Sequence, residues 1–104
     1  MSDIKITVLQ RTVAEDLMQK YGAKELTICD QFKEGDVFIS KNGSRPENFT
    51  CGEAWHSFGK YAFALAHGAN GFWENWIPER KISINSCNDG LRPVIFKLEV
   101  IDDE

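Results

Sequence analysis

The residues of this chain most open to chemistry are three cysteines, Cys29, Cys51 and Cys87. A thiol can attack an electrophile, exchange with a disulfide or ligate a metal. Spacing narrows these choices. Structural zinc and iron–sulfur sites usually show close pairs such as C-x2-C, and this chain has none. A metal would need ligands gathered from three separate elements, so no metal ligand is assigned and the cofactor is left open. Cys51 is the leading thiol. It follows Thr50, which reads as a helix N-cap, so it is expected at the first helical position, where free amides and the positive dipole end favour a thiolate. Glu53 opposes this by like-charge repulsion. The competing reading of Cys51 is a small apolar residue filling the core near Phe49, since cysteine is among the most buried residue types. His56 follows Cys51 by five positions, about 140° around a helix. The two cannot share a face, so a Cys–His nucleophile–base pair has no support. Cys87 precedes Asn88-Asp89-Gly90. By alternation it falls opposite Ile82 and Ile84, on a face whose lower apolarity would leave the thiol reachable.

Two further groups could take part in binding. Phe72, Trp73 and Trp76 crowd into a connection outside regular structure. Such clusters line pockets and interfaces, or act as a lid over a core helix. Arg92 sits beside the Asp89-Gly90 turn, where it can bind an anion or pair with Asp89. Asp30, Asp36, Glu53 and Asp89 have no spacing that makes a pair of them special. There is no G-x-G-x-x-G and no P-loop, so nucleotide binding has no motif behind it.

Composition narrows the class. The chain has 104 residues, 42% hydrophobic and 27% charged, with net charge −4. That fits a single domain, 1–104, with enough buried surface for a core. Its scattered Lys and Arg residues form no basic footprint, so nucleic acid is not an expected partner. No apolar run approaches the ~18 residues of a membrane span, and the opening Met1-Ser2-Asp3-Ile4-Lys5 has no leader pattern. The expectation is a cytoplasmic protein with free thiols. The acidic tail 101–104 is expected to be disordered.

Positioning these residues requires elements. Ile4, Ile6 and Val8 alternate with Lys5 and Thr7, the period of a half-buried strand; Val94, Phe96, Leu98 and Val100 repeat the pattern near the other end. Thr12-Val13-Ala14-Glu15 reads as a capping box opening a helix, with Val13, Leu17 and Tyr21 on one face and Gly22 as its left-handed stop. Val37-Phe38-Ile39 is a short strand after the Glu34-Gly35 turn. Asn42-Gly43 is a type I′ turn signal, although Pro46 works against a returning strand. A second capping box, Thr50 to Glu53, opens the main core helix with Ala54, Trp55, Phe58, Ala62, Leu65 and Ala66, ended by Gly68. Ile82-Ser83-Ile84 is a strand joined to the last by Asp89-Gly90. The fold class is α+β: two helices and a mainly antiparallel sheet of four to five short strands in one compact domain.

The stretch from Cys87 to Glu99, with Asp89-Gly90-Leu91-Arg92-Pro93 as its most specific part, resembles the C-terminal motif of a small uncharacterised prokaryotic protein family of about this length. The opening Ile4 to Leu9, the segment Cys29…Phe32-Lys33-Glu34-Gly35-Asp36 and Cys51-Gly52-Glu53-Ala54-Trp55 resemble its other motifs. The resemblance covers nearly the whole chain. It implies one compact domain and carries no activity, because none is assigned to that family.

The residues themselves point to a small ligand- or metal-binding module, its pocket holding Cys51, Cys29 and Cys87 and roofed by Trp73 and Trp76, with Arg92 nearby. A thiol-dependent redox protein or enzyme, and a protein–protein adaptor using the aromatic surface, are the alternatives. Whether a reaction is catalysed stays open. The expected partner is a small molecule, and a homodimer is allowed.

Overall fold

The alternation of Ile4, Ile6 and Val8 with polar residues forms strand β1 (Asp3–Arg11) in the computed structural model, which describes residues 1–74 and 76–101. The other elements are α1 (Glu15–Tyr21), β2 (Val37–Ser40), a 3-10 turn (Lys41–Gly43), α2 (Gly52–Ala66), β3 (Ile82–Ser86) and β4 (Val94–Ile101). The strands form one sheet in the order β2-β1-β4-β3, with every neighbouring pair antiparallel. The result is a small α+β domain. The expected tail at 101–104 is a strand end at Ile101; residues 102–104 lie outside the described residues.

The sheet packs α2 against one face. Ala54, Phe58, Ala62, Leu65 and Ala66 recur at three- and four-residue steps, which puts them on one side of the helix, and all are buried. Beneath them lie Ile4, Ile6, Val8, Val94, Phe96 and Leu98. Phe49 is the hub of the core. Its ring centroid lies 5.0 Å from Phe38, 5.3 Å from Phe32, 5.7 Å from Phe58, 5.9 Å from Phe96 and 6.0 Å from Trp55. These rings come from the sheet, from α2 and from the two loops between β1 and α2. Edge-on and tilted arrangements of this kind suit the aromatic quadrupole.

Several local expectations are corrected. Thr12 does not cap α1. Its hydroxyl donates to the Pro93 carbonyl at 2.6 Å and its amide donates to the same oxygen at 2.9 Å, so Thr12 extends the β1–β4 pairing. The helix starts only at Glu15 and buries no residue; Leu17 and Tyr21 are exposed. Gly22 has φ −79°, extended rather than left-handed. Thr50 is not the cap of α2 either. Two Arg45 nitrogens hold the Phe49 carbonyl at 3.0 and 2.8 Å, fixing the buried approach to the helix, and Cys51 takes the extended N-cap conformation. Cys51 is thus the N-cap, not the first helical residue. Asn42 and Gly43 do take the positive φ of a type I′ turn, 55° and 89°, but the chain leaves through the 3-10 turn without a returning strand.

The faces of β3 are the reverse of what its isoleucines suggest. Ser83 pairs with Leu98 and Asn85 with Phe96, while Ile82 and Ile84 pair with Glu99 and Lys97. Directly opposed residues share a face. Ser83 and Asn85 therefore point toward the helix side, joined by a 2.6 Å bond from Ser83 Oγ to Asn85 Oδ1; on the opposite face Ile84 is exposed and Ile82 is buried.

The packing generates two stability predictions. Phe49→Ala removes the hub ring and should cost about 3–5 kcal/mol by urea unfolding; a loss below about 1 kcal/mol would contradict its central place. Gly43 has φ 89°, and a Cβ there would lie 2.8 Å from the Phe63 Cα of α2. Gly43→Ala should therefore destabilise by more than about 1 kcal/mol in the same assay, through both conformation and collision.

Candidate functional site

A cavity of about 270 Å³ opens at the N-terminal end of α2, lined by Cys29, Gln31, Phe32, Cys51, Glu53, Cys87, Asn88, Asp89, Arg92 and Val94. All three cysteines reach it, from three separate segments. Each is a free thiol, partly buried and packed against the core.

Each thiol is positioned by a different device. Cys29 lies in the loop between α1 and β2. A register shift between Val8 and Gln10 makes a β-bulge at Leu9 in β1. Bulges re-aim the residues that follow. Beyond this one, Arg11 pairs with buried Val94 and so turns to the helix side. Its Nη1 donates to the Cys29 carbonyl at 3.0 Å, and its Nε donates to Glu34 Oε1 at 3.0 Å. Cys51 is set by the N-cap geometry of α2. Cys87 follows β3, which Ser57 of α2 holds by a 2.6 Å bond to the Ser86 carbonyl. The Val94 amide donates to Cys87 Sγ at 3.3 Å, while the Cys87 amide donates to the Val94 carbonyl at 3.1 Å. This closes the β3–β4 connection over the cavity.

The polar rim is internally paired. Asp89 Oδ1 accepts the amides of Leu91 and Arg92 at 2.8 and 3.0 Å, and Oδ2 accepts Arg92 Nε at 3.0 Å. Of the two roles expected for Arg92, pairing with Asp89 is the one the structure contains. Arg92 Nη1 also donates to the Thr27 carbonyl at 3.3 Å, tying the loop that carries Cys29 to the β3–β4 connection. Asn88 Nδ2 donates to the Glu53 carbonyl and to Glu53 Oε1, both at 3.2 Å, which ties that connection to the start of α2. Burial raises the Asp89 pKa, but the Arg92 and Leu91 amides and the Arg92 guanidinium outweigh it and hold the carboxyl below its ordinary value. The exposed Glu34 is likewise lowered, first by the Arg11 amide bond.

Trp73 and Trp76 do not roof this cavity. They stack on each other, centroids 5.5 Å apart, and both are exposed. Trp73 rests edge-on against Tyr61 at 6.2 Å rather than against Trp55 or Phe58. Tyr61 lies ten residues beyond Cys51 along α2, so this packing takes the indoles away from the cavity at the start of the helix. Neither histidine lines the cavity, and His56 is exposed. Among the described residues no group of three or more His, Cys, Asp or Glu side chains is arranged to hold a metal ion, and no helix is long and apolar enough to cross a membrane. Sequence reasoning missed Phe32, Gln31, Asn88 and Val94 in the lining, and Arg11 behind it. No family model, curated protein or solved structure matches the chain.

The lowered Asp89 pKa sets a pH dependence. Its stabilising contribution is fully present above the unfolded value of about 3.9 and is lost as pH falls through the lower folded value. Asp89→Asn keeps an oxygen acceptor but loses the ion pair, so at pH 6 it should cost about 1 kcal/mol or less. The variant's Tm should fall less steeply than that of the parent below about pH 4. Equal acid slopes in thermal melts at several pH values would contradict the assignment.

Proposed function

We propose that this protein is a small ligand-binding module whose site is the three-thiol cavity. The observation that supports it most is the convergence of Cys29, Cys51 and Cys87, from a loop, a helix start and the end of a strand, on one concavity. A volume near 270 Å³ is just below the usual range of ligand pockets, so the reading is one small molecule per chain. Cysteine sulfur and the Phe32 ring give the ligand a soft, polarisable wall. The paired Asp89–Arg92 rim orients it at the mouth. A metal ligand is not part of this reading, because no suitable donor group is assembled among the described residues. No histidine lines the cavity to act as the usual partner of a nucleophilic thiol, so a thiol enzyme is the second reading. The adaptor reading keeps one observation in its favour, the exposed stacked pair of Trp73 and Trp76.

Shared space is directly testable. Native protein treated with excess N-phenylmaleimide should gain one adduct quickly, and that adduct should slow the other two thiols at least about tenfold by filling their common cavity. In denaturant all three free thiols should react. Intact-mass spectrometry over time reads the result. Three adducts accumulating at equal rates on the folded protein would end the proposal.

A further inference from the structure

We infer that the sheet face turned away from α2 docks a second copy of this chain, giving a symmetric dimer layered helix–sheet–sheet–helix. This surface lies across the sheet from the cavity, so it is independent of the ligand reading. An antiparallel sheet with a helix on one face usually turns polar residues outward on the other. Here the outer face is largely aliphatic at its edges. Directly opposed residues share a face, so the register defines two outer rows across the four strands. One runs Ile39, Lys5, Glu99, Ile82, and the next Val37, Thr7, Lys97, Ile84. Both edge strands thus present aliphatic pairs, and the two central strands present the charges. Val37, Ile39 and Ile84 are exposed although nothing polar recommends them to water. A monomer rarely leaves such a patch uncovered.

The rows are self-complementary, which selects a second copy as the occupant. A two-fold axis parallel to the strands, midway between β1 and β4, sets β2 over β3 of the second copy and β1 over its β4. Each row then lies on its own reverse. Ile39 meets Ile82 of the second copy, Val37 meets its Ile84, and Lys5 meets its Glu99. Lys5 has no ion pair within its own chain among the described residues, while Glu99 takes Lys97 at 3.5 Å. The Lys97 and Glu99 side chains are only 31% and 25% exposed, so they lie along the sheet and leave room for another layer. Asp3, further along β1, pairs with Lys41 at 3.7 Å. Two carboxylates thus face three lysines here, and the acidic excess behind the net charge of −4 lies elsewhere. Two copies can approach on this face without acid meeting acid. Four strands at about 4.8 Å spacing, with about six residues each at about 3.4 Å, give roughly 400 Å² in plan. Side-chain relief raises this toward about 600 Å² per copy, the lower end of specific interfaces, which begin near 1,200 Å² in total. The dimer is therefore of micromolar strength, not permanent.

Sedimentation equilibrium of the full chain tests this over about 1 µM to about 500 µM. A monomer–dimer equilibrium in the micromolar range is expected. Ile39→Lys and Ile84→Lys change exposed positions, so the monomer keeps its fold, which circular dichroism checks. Each places an unpaired charge in the interface and should raise the dissociation constant at least about tenfold. Lys5→Glu should also weaken the dimer, and combining it with Glu99→Lys should recover most of that loss. A pair confined to one chain would leave the dissociation constant unmoved. A chain still monomeric at about 500 µM would overturn the inference. So would a dimer indifferent to Ile39→Lys and Ile84→Lys, or a charge swap that recovers nothing. None of these results touches the ligand site, which the maleimide reaction decides on its own.

Discussion

The site depends on one constraint, the aromatic cluster that joins loop, sheet and helix. Phe49 links Phe38 and Phe96 of the sheet to Trp55 and Phe58 of α2, and Phe32 docks on Phe38, Phe49 and Phe96 at 5.9, 5.3 and 5.2 Å. Phe32 is almost wholly buried, yet one surface of it lines the cavity. The floor of the site is thus the top of the core. A loop that would otherwise have little to hold it is pinned by burial of a whole phenyl ring, a contribution on the order of 2–3 kcal/mol.

Hydrogen bonds then fix what the ring has brought close. The Leu9 bulge turns Arg11 toward the loop, where its guanidinium holds the Cys29 carbonyl. Ser57 and the Val94 amide set Cys87. Asn88 spans from the β3–β4 connection to the start of α2, and Arg92 spans from it to the loop. Through Asn88 and Arg92 the β3–β4 connection is tied to each of the other two thiol-bearing segments. A cavity between them can persist because its walls are tied to one another and not only to the core.

The parts legible in the sequence were those set by local periodicity. The alternation of β1 and β4 and the three-four spacing of α2 led directly to the sheet and its covering helix. The three cysteines stand out by residue type alone. What sequence could not carry was non-local. Arg11 reads as one more alternating position until the bulge is known. The inward face of β3 is hidden because Ser83 and Asn85 satisfy each other, so polar residues sit where isoleucines would be expected. Thr12 and Thr50 have the residue types of caps, but sheet pairing claims the first, and the buried Phe49 with its Arg45 clamp moves the helix start past the second. The indole pair does not roof the cavity, because Tyr61, far along α2, gives Trp73 an edge-on partner away from the thiols.

Phe32, held by the aromatic core, is the common floor beneath three otherwise separate thiols. Cysteine-selective carbon-13 NMR of Phe32→Ala, read beside the amide spectrum of the sheet, checks this arrangement. The Cβ resonances of Cys29, Cys51 and Cys87 should all move while the β1 and β4 amides, apart from those beside Phe96, keep their native pattern. A folded variant in which only one cysteine resonance moves, or none, would contradict it.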